Sequence, residues 1–75
     1  MEIEFRSLED FAEYLGYAYP EEIHAVAYAE GFYRMDEFGD WQLSIDGMND
    51  FLRRFNANIR VDSLASGIHC TTLDA

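Results

Sequence analysis

Met1-Glu2-Ile3-Glu4-Phe5-Arg6-Ser7-Leu8-Glu9-Asp10-Phe11-Ala12-Glu13-Tyr14-Leu15-Gly16 changes its hydrophobic period at Ser7. Before it, Met1, Ile3 and Phe5 alternate with Glu2, Glu4 and Arg6, the period of a half-buried strand. After it, Leu8, Phe11, Ala12 and Leu15 fall at i, i+3, i+4 and i+7, the apolar stripe of a short helix. Ser7 followed three residues on by Asp10 resembles a capping box. Gly16 is placed to end the helix in a left-handed turn. A strand running straight into an amphipathic helix is the first sign of an α+β class.

The rest of the chain extends this pattern. Tyr17-Ala18-Tyr19 links to Pro20, which suits a first helical turn, with Glu21 and Glu22 where the helix dipole favours anions. A second helix is expected from about residue 20 to 30. Gly31 either ends it or is absorbed, with Phe32 to Phe38 continuing it to the stronger stop at Gly39. Trp41, Leu43 and Ile45 alternate as a short strand or extended lead-in. Asp46 is a candidate cap for a third helix with the stripe Met48, Phe51, Leu52 and Phe55, ended by Asn56 to Asn58. Asp50 and Arg54 form an i,i+4 pair on it. Ile59 and Val61 begin another strand, residues 64–67 turn, and Ile68 to Leu73 form the last strand. The expectation is one small domain spanning residues 1–75, with two or three short helices packed on a three- or four-stranded antiparallel sheet. An all-helical core with a terminal hairpin is the alternative.

Of the 75 residues, 15 are Asp or Glu and 5 are Arg; lysine is absent, so the formal net charge is −10. A hydrophobic content of 49% argues against disorder at that charge. The charge argues against direct binding to nucleic acid or an anionic membrane, since both repel carboxylates. No apolar run approaches the ~18 residues of a membrane span. The start has neither the basic nor the apolar segment of a signal peptide, and with a single cysteine this fits the cytoplasm. A domain this small buries only about 60% of the surface its unfolded chain exposes, so its core is at a premium. The acidity is uneven. Residues 1–50 hold thirteen carboxylates against Arg6 and Arg34, whereas residues 51–75 hold Asp62 and Asp74 against Arg53, Arg54 and Arg60.

Motifs that would name a reaction are missing. His69 and Cys70 are adjacent, and neighbours in a strand point to opposite faces, so they do not form a nucleophile–base pair there. His24 is the other histidine that can approach Cys70 in the fold. Asp36, Asp40, Asp46, Asn49 and Asp50 are dense in oxygen ligands. Yet a calcium loop begun at Asp36 has Trp41 where glycine belongs, and one begun at Asp46 has Phe51 there. Paired carboxylates are too abundant to mark a glycosidase, and phosphate-loop and Ser-His-Asp patterns are absent. The reading is therefore a non-enzyme without catalytic residue, cofactor or metal.

The acidic surface remains. Glu9, Asp10, Glu13, Glu21, Glu22, Glu30, Asp36, Glu37 and Asp40 recur through the helical region. Carboxylates three or four apart on a helix stand ~5–6 Å from each other. Such a row approximates duplex nucleic acid, with one charge per ~1.7 Å of axis, and suits a groove built from Lys and Arg. Tyr14 and Tyr17 are expected at the helix edge, apolar in body and polar at the tip, as at interfaces. In size, lack of lysine, lack of catalytic signals and the acidic helix Ser7-Leu8-Glu9-Asp10-Phe11-Ala12-Glu13-Tyr14, the chain resembles the small acidic inhibitors of phages and other mobile elements. These include anti-restriction DNA mimics and anti-CRISPR proteins. The resemblance implies stoichiometric binding to a basic, nucleic-acid-binding protein or complex, in the host cytoplasm for a phage protein. The alternatives are an acidic antitoxin, immunity or accessory protein that binds a basic partner without mimicry, and, ranked lowest, a small enzyme using His24, His69 or Cys70. Partner identity and oligomeric state are not encoded in any of these features.

Overall fold

Ser7 is the hinge between strand and helix in the computed structural model, which describes residues 1–17 and 19–73. Ala18 of the expected link and Asp74 lie outside the described residues. Strand β1 (Glu2–Phe5) is followed closely by Ser7, whose hydroxyl accepts the Asp10 N–H at 3.2 Å and opens helix α1 (Leu8–Tyr14). A single 3-10 turn (Pro20–Glu22) leads into α2 (Ile23–Ala29). Then come β2 (Tyr33–Met35), β3 (Trp41–Leu43), α3 (Ile45–Arg54), β4 (Ile59–Ser63) and β5 (Ile68–Thr72). The sheet order is β1-β5-β4, all antiparallel, while β2 and β3 form a separate two-stranded hairpin. The α+β class stands, with the strands divided between two sheets.

All three helices end in the same way. The residue after each cap is left-handed: Gly16 at φ +84°, Gly31 at +82° and Asn56 at +57°. In each case the next N–H folds back five residues, Tyr17 to the Ala12 carbonyl (3.1 Å), Phe32 to Ala27 (2.8 Å) and Ala57 to Leu52 (3.0 Å). This is the Schellman closure, and it turns the following side chain back onto the helix. Phe32 is fully buried as a result. Of the two readings left open for Gly31, termination holds: the helix stops there, and Tyr33–Met35 pairs with Trp41–Leu43 rather than continuing it. The cap of α3 also differs from expectation. Ser44, not Asp46, accepts the Gly47 N–H at 3.2 Å, leaving Asp46 in the first turn.

Four phenylalanines join the layers. Phe5 of β1 meets Phe11 of α1 edge-on at 5.6 Å, Phe11 meets Phe32 at 6.1 Å, and Phe32 meets Phe51 of α3 at 4.9 Å. Met48, Leu52 and the inward residues of β4 and β5 (Ile59, Val61, Ile68, Cys70) complete one core. Truncating such a buried Phe costs ~3–5 kcal/mol, a large share of the ~5–15 kcal/mol that small domains possess. Phe55, counted in the stripe of the third helix, is 45% exposed and stacks on Phe51 at its rim instead.

One edge of the sheet is closed by a side chain. The Asn49 amide of α3 donates to the Val61 carbonyl at 3.0 Å and accepts the Val61 N–H at 2.8 Å. Asn49 thus occupies the place of a neighbouring strand along β4. α3 also closely approaches the turn that follows α2, and Gly47 permits it: a Cβ there would fall 2.1 Å from the Gly31 carbonyl oxygen.

Candidate interaction surface

Arginine placement decides which carboxylates remain available. Arg34 of β2 reaches Asp50 of α3 at 3.1 Å, and Arg53 pairs with the same carboxylate. These two hold the Asp50 carboxyl below the usual range, Arg34 contributing most. Arg54 does not pair with the Asp50 side chain as its spacing suggested. It extends to α2, donating to the Glu30 carboxylate at 3.3 Å and the Glu30 carbonyl at 3.2 Å, which secures the helix end. Arg60 pairs with Asp62 at 2.9 Å. Asp62 is the extra residue of a bulge between β4 and β5, and a hydrogen bond from Thr71 with the Arg60 contact lowers its pKa. Four of the five arginines are thereby consumed by Glu30, Asp50 and Asp62.

The nine acidic residues singled out from sequence separate into two classes. Glu9 contacts His24, Glu30 holds Arg54, and Asp36 accepts the Phe38 and Asp40 N–H groups at 2.9 Å each, closing the hairpin turn. The other six, Asp10, Glu13, Glu21, Glu22, Glu37 and Asp40, are exposed, and none is in an ion pair among the described residues. Asp10 and Glu13 lie on α1. Glu21 and Glu22 lie on the 3-10 turn packed beside it. Glu37 and Asp40 belong to the hairpin turn. The carboxylates thus form two groups rather than one row.

Tyr14 is half-exposed over Phe5, while Tyr17 stacks on Phe55 at 5.9 Å and Phe51 at 6.3 Å at the rim of the core. Burial, then the Glu30 charge, pushes the Tyr17 hydroxyl pKa up.

A further surface lies on the hairpin. The register Tyr33↔Leu43 and Met35↔Trp41 puts four apolar side chains on one face and Arg34 and Gln42 on the other. Tyr33 and Leu43 pack on the core, but Met35 and Trp41 remain 58% and 55% exposed. Phe38 at the turn is 81% exposed. Tyr28 of α2 stacks on Tyr33 at 4.5 Å and meets Trp41 edge-on at 6.2 Å. Burial first, then Tyr28 and the charge of Glu9, raise the Tyr33 pKa. Trp41 and Phe38 carry no motif; the alternation Tyr33-x-Met35 and Trp41-x-Leu43 around Gly39 is the signal that identifies the hairpin.

The potential nucleophile is withdrawn. Cys70 is buried, and desolvation with the Asp62 charge pushes its thiol up to about 11. His24 is engaged with Glu9, and His69 donates through Nε2 to the Ala65 carbonyl at 2.9 Å. An open cleft of about 450 Å³ on the sheet is lined by Glu2, Glu4, Asp62, Ser63, His69 and the buried Cys70. No cluster of three or more His, Cys, Asp or Glu that could hold a metal exists among the described residues, and no helix there is long and apolar enough to cross a membrane. Comparison with protein-family models, curated proteins and solved structures finds no match.

Proposed function

We propose that the protein is a non-enzymatic inhibitor that binds a basic, nucleic-acid-handling protein in the cytoplasm and occupies its phosphate-binding groove with carboxylates. One observation carries the reading: the arginines are spent on Glu30, Asp50 and Asp62, leaving Asp10, Glu13, Glu21 and Glu22 exposed and unneutralised on adjoining elements. Asp10 and Glu13, one helical turn apart, stand ~5–6 Å from each other, comparable to the spacing of phosphates. Anti-restriction and anti-CRISPR inhibitors act in this manner, and a phage origin would place the target in the host. A second reading, an acidic antitoxin, immunity or accessory protein, is favoured by the exposed hairpin rings, which suit a protein surface more than a phosphate groove.

The test is competition. A captured partner is challenged with DNA or RNA across a salt series, using the wild type and a variant carrying Asp10→Asn, Glu13→Gln, Glu21→Gln and Glu22→Gln. Mimicry requires that nucleic acid displace the protein, and that the variant bind several-fold or more weakly with a flatter salt dependence. Displacement without any effect of the four changes would move the site elsewhere. Retained binding under saturating nucleic acid would leave the second reading.

A further inference from the structure

We propose that the outer edge of β1 is a strand-addition site for an extended segment of the partner protein, in which a basic, an apolar and a basic residue follow one another. The inference rests on the basic-partner reading for the source of that segment and adds a backbone contact away from the helical carboxylates. The two edges of the sheet differ. Along β4 the outward Val61 N–H and carbonyl are taken by Asn49. β1 has β5 on one side and no strand on the other. The Thr72 N–H donates to the Met1 carbonyl at 2.9 Å, and the register continues Ile3↔Cys70 and Phe5↔Ile68. Met1, Ile3 and Phe5 therefore turn their backbone groups towards β5, and Glu2 and Glu4 turn theirs outward. Among the described residues, no hydrogen bond reaches the outward N–H and carbonyl groups of Glu2 and Glu4. A row of unpaired donors and acceptors on a strand edge is a template for one more extended segment.

Side chains select the occupant. Glu2 and Glu4 are exposed on the solvent face of the edge, whereas Ile3 and Phe5 lie on the core face. In antiparallel addition, the pattern of this whole sheet, incoming residues directly opposite Glu2 and Glu4 exchange backbone hydrogen bonds with them and project onto the same solvent face. Lys or Arg at both places meets a carboxylate. Arg6 lies just beyond the strand, so basic residues suit these two positions and not the next. The residue between them faces Ile3 on the core side, where the half-exposed Tyr14 ring tilts against Phe5 at 5.3 Å, and an apolar side chain fits there. A second copy of this chain is the poorer occupant. Centred on Ile3, β1 against β1 sets Glu2 opposite Glu4 twice, and like charges directly opposite are destabilising.

The probe is the peptide Thr-Arg-Val-Arg-Thr, blocked at both ends, titrated into the folded protein and followed by NMR. Binding should slow exchange of the Glu2 and Glu4 amide protons, which face solvent in the free protein. N-methylation of both peptide arginines removes the N–H groups that face β1 and should abolish binding. N-methylation of the peptide valine, whose N–H points away, should preserve it. Exchange of both arginines for glutamate should weaken binding about three-fold or more, and Glu2→Gln with Glu4→Gln should remove that difference. Asp10→Asn with Glu13→Gln should leave the effect of N-methylation unchanged. Absence of binding, binding that survives N-methylation of the arginines, or binding without protection of the Glu2 and Glu4 amides overturns the proposal. None of these outcomes depends on whether nucleic acid competes for the partner, so the mimicry reading fails separately.

Discussion

Gly47→Ala places helix propensity and packing in direct opposition. Gly47 sits within the first turn of α3, where exchange for alanine ordinarily gains ~1 kcal/mol. Here the new Cβ would fall 2.1 Å from the Gly31 carbonyl oxygen and 3.2 Å from its carbon. Backbone atoms cannot rotate away, so α3 must move off the end of α2, disturbing contacts among Phe32, Met48 and Phe51. Overpacking of this kind costs typically ~1–3 kcal/mol, and the overlap places Gly47→Ala at the upper end. After the propensity gain, a net loss of roughly 1–2 kcal/mol remains, a fall in Tm of about 4–16 °C for a domain of this size. Gly31→Ala is the companion variant. It has open space around its Cβ but φ at +82°, so it should lose only the ~1–2 kcal/mol of left-handed strain. Urea unfolding of wild type and both variants provides the measurement. A Gly47→Ala protein as stable as wild type, or more so, would refute the close approach of α3 to the Gly31 turn.

Asn49→Ala should cost ~1–3 kcal/mol by leaving the Val61 N–H and carbonyl without their partner; size-exclusion chromatography should then show concentration-dependent association through β4. Asp50 and Asp62 have lowered folded pKa values, so their stabilisation is present above the unfolded value near 4 and is lost as pH falls through the folded values. Acid titration of unfolding free energy should show this loss below about pH 4, diminished in Asp62→Asn, with the stabilisation from both groups constant between pH 7 and 5. The Cys70 thiol is raised, so an unfolded thiol ionises first; stability should decline as pH rises from about 8.5 towards 11, and Cys70→Val should remove that decline.

Residues 1–16 were legible because strand period, cap, helix stripe and terminating glycine follow one another without ambiguity. The same holds for Met48, Phe51 and Leu52, and for Ile59 and Val61. Residues 32–43 were not. A three-residue strand offers only two positions of one face, too few to establish a period, and Gly31 fits a helix interior at a cost or a helix end at none. The structure resolves that ambiguity by burying Phe32 against Phe11 and Phe51, a tertiary fact. The acidic residues were visible in the sequence, but their availability was not. Arg54 reaches Glu30 across 24 positions and Arg34 reaches Asp50 across 16, and neither distance has a local signature. Ser44 displaced Asp46 as the cap because β3 ends one residue before it, leaving Ser44 extended at the helix entrance.

The central strand of the sheet follows both of its neighbours in sequence, and this sets an order of events for the nascent chain. β1 and β4 have no pairing with each other, and both depend on β5. At about 5–20 residues per second, β1 waits several seconds after its own synthesis before Ile68–Thr72 exists to receive it. Through that interval Ile3 and Phe5 have no strand to join, and the helices lack the surface that covers Phe11 and Met48. A chain interrupted before Ile68 therefore lacks the strand on which both β1 and β4 pair. Assembly of the sheet is a single late event, with β5 as the piece that completes it.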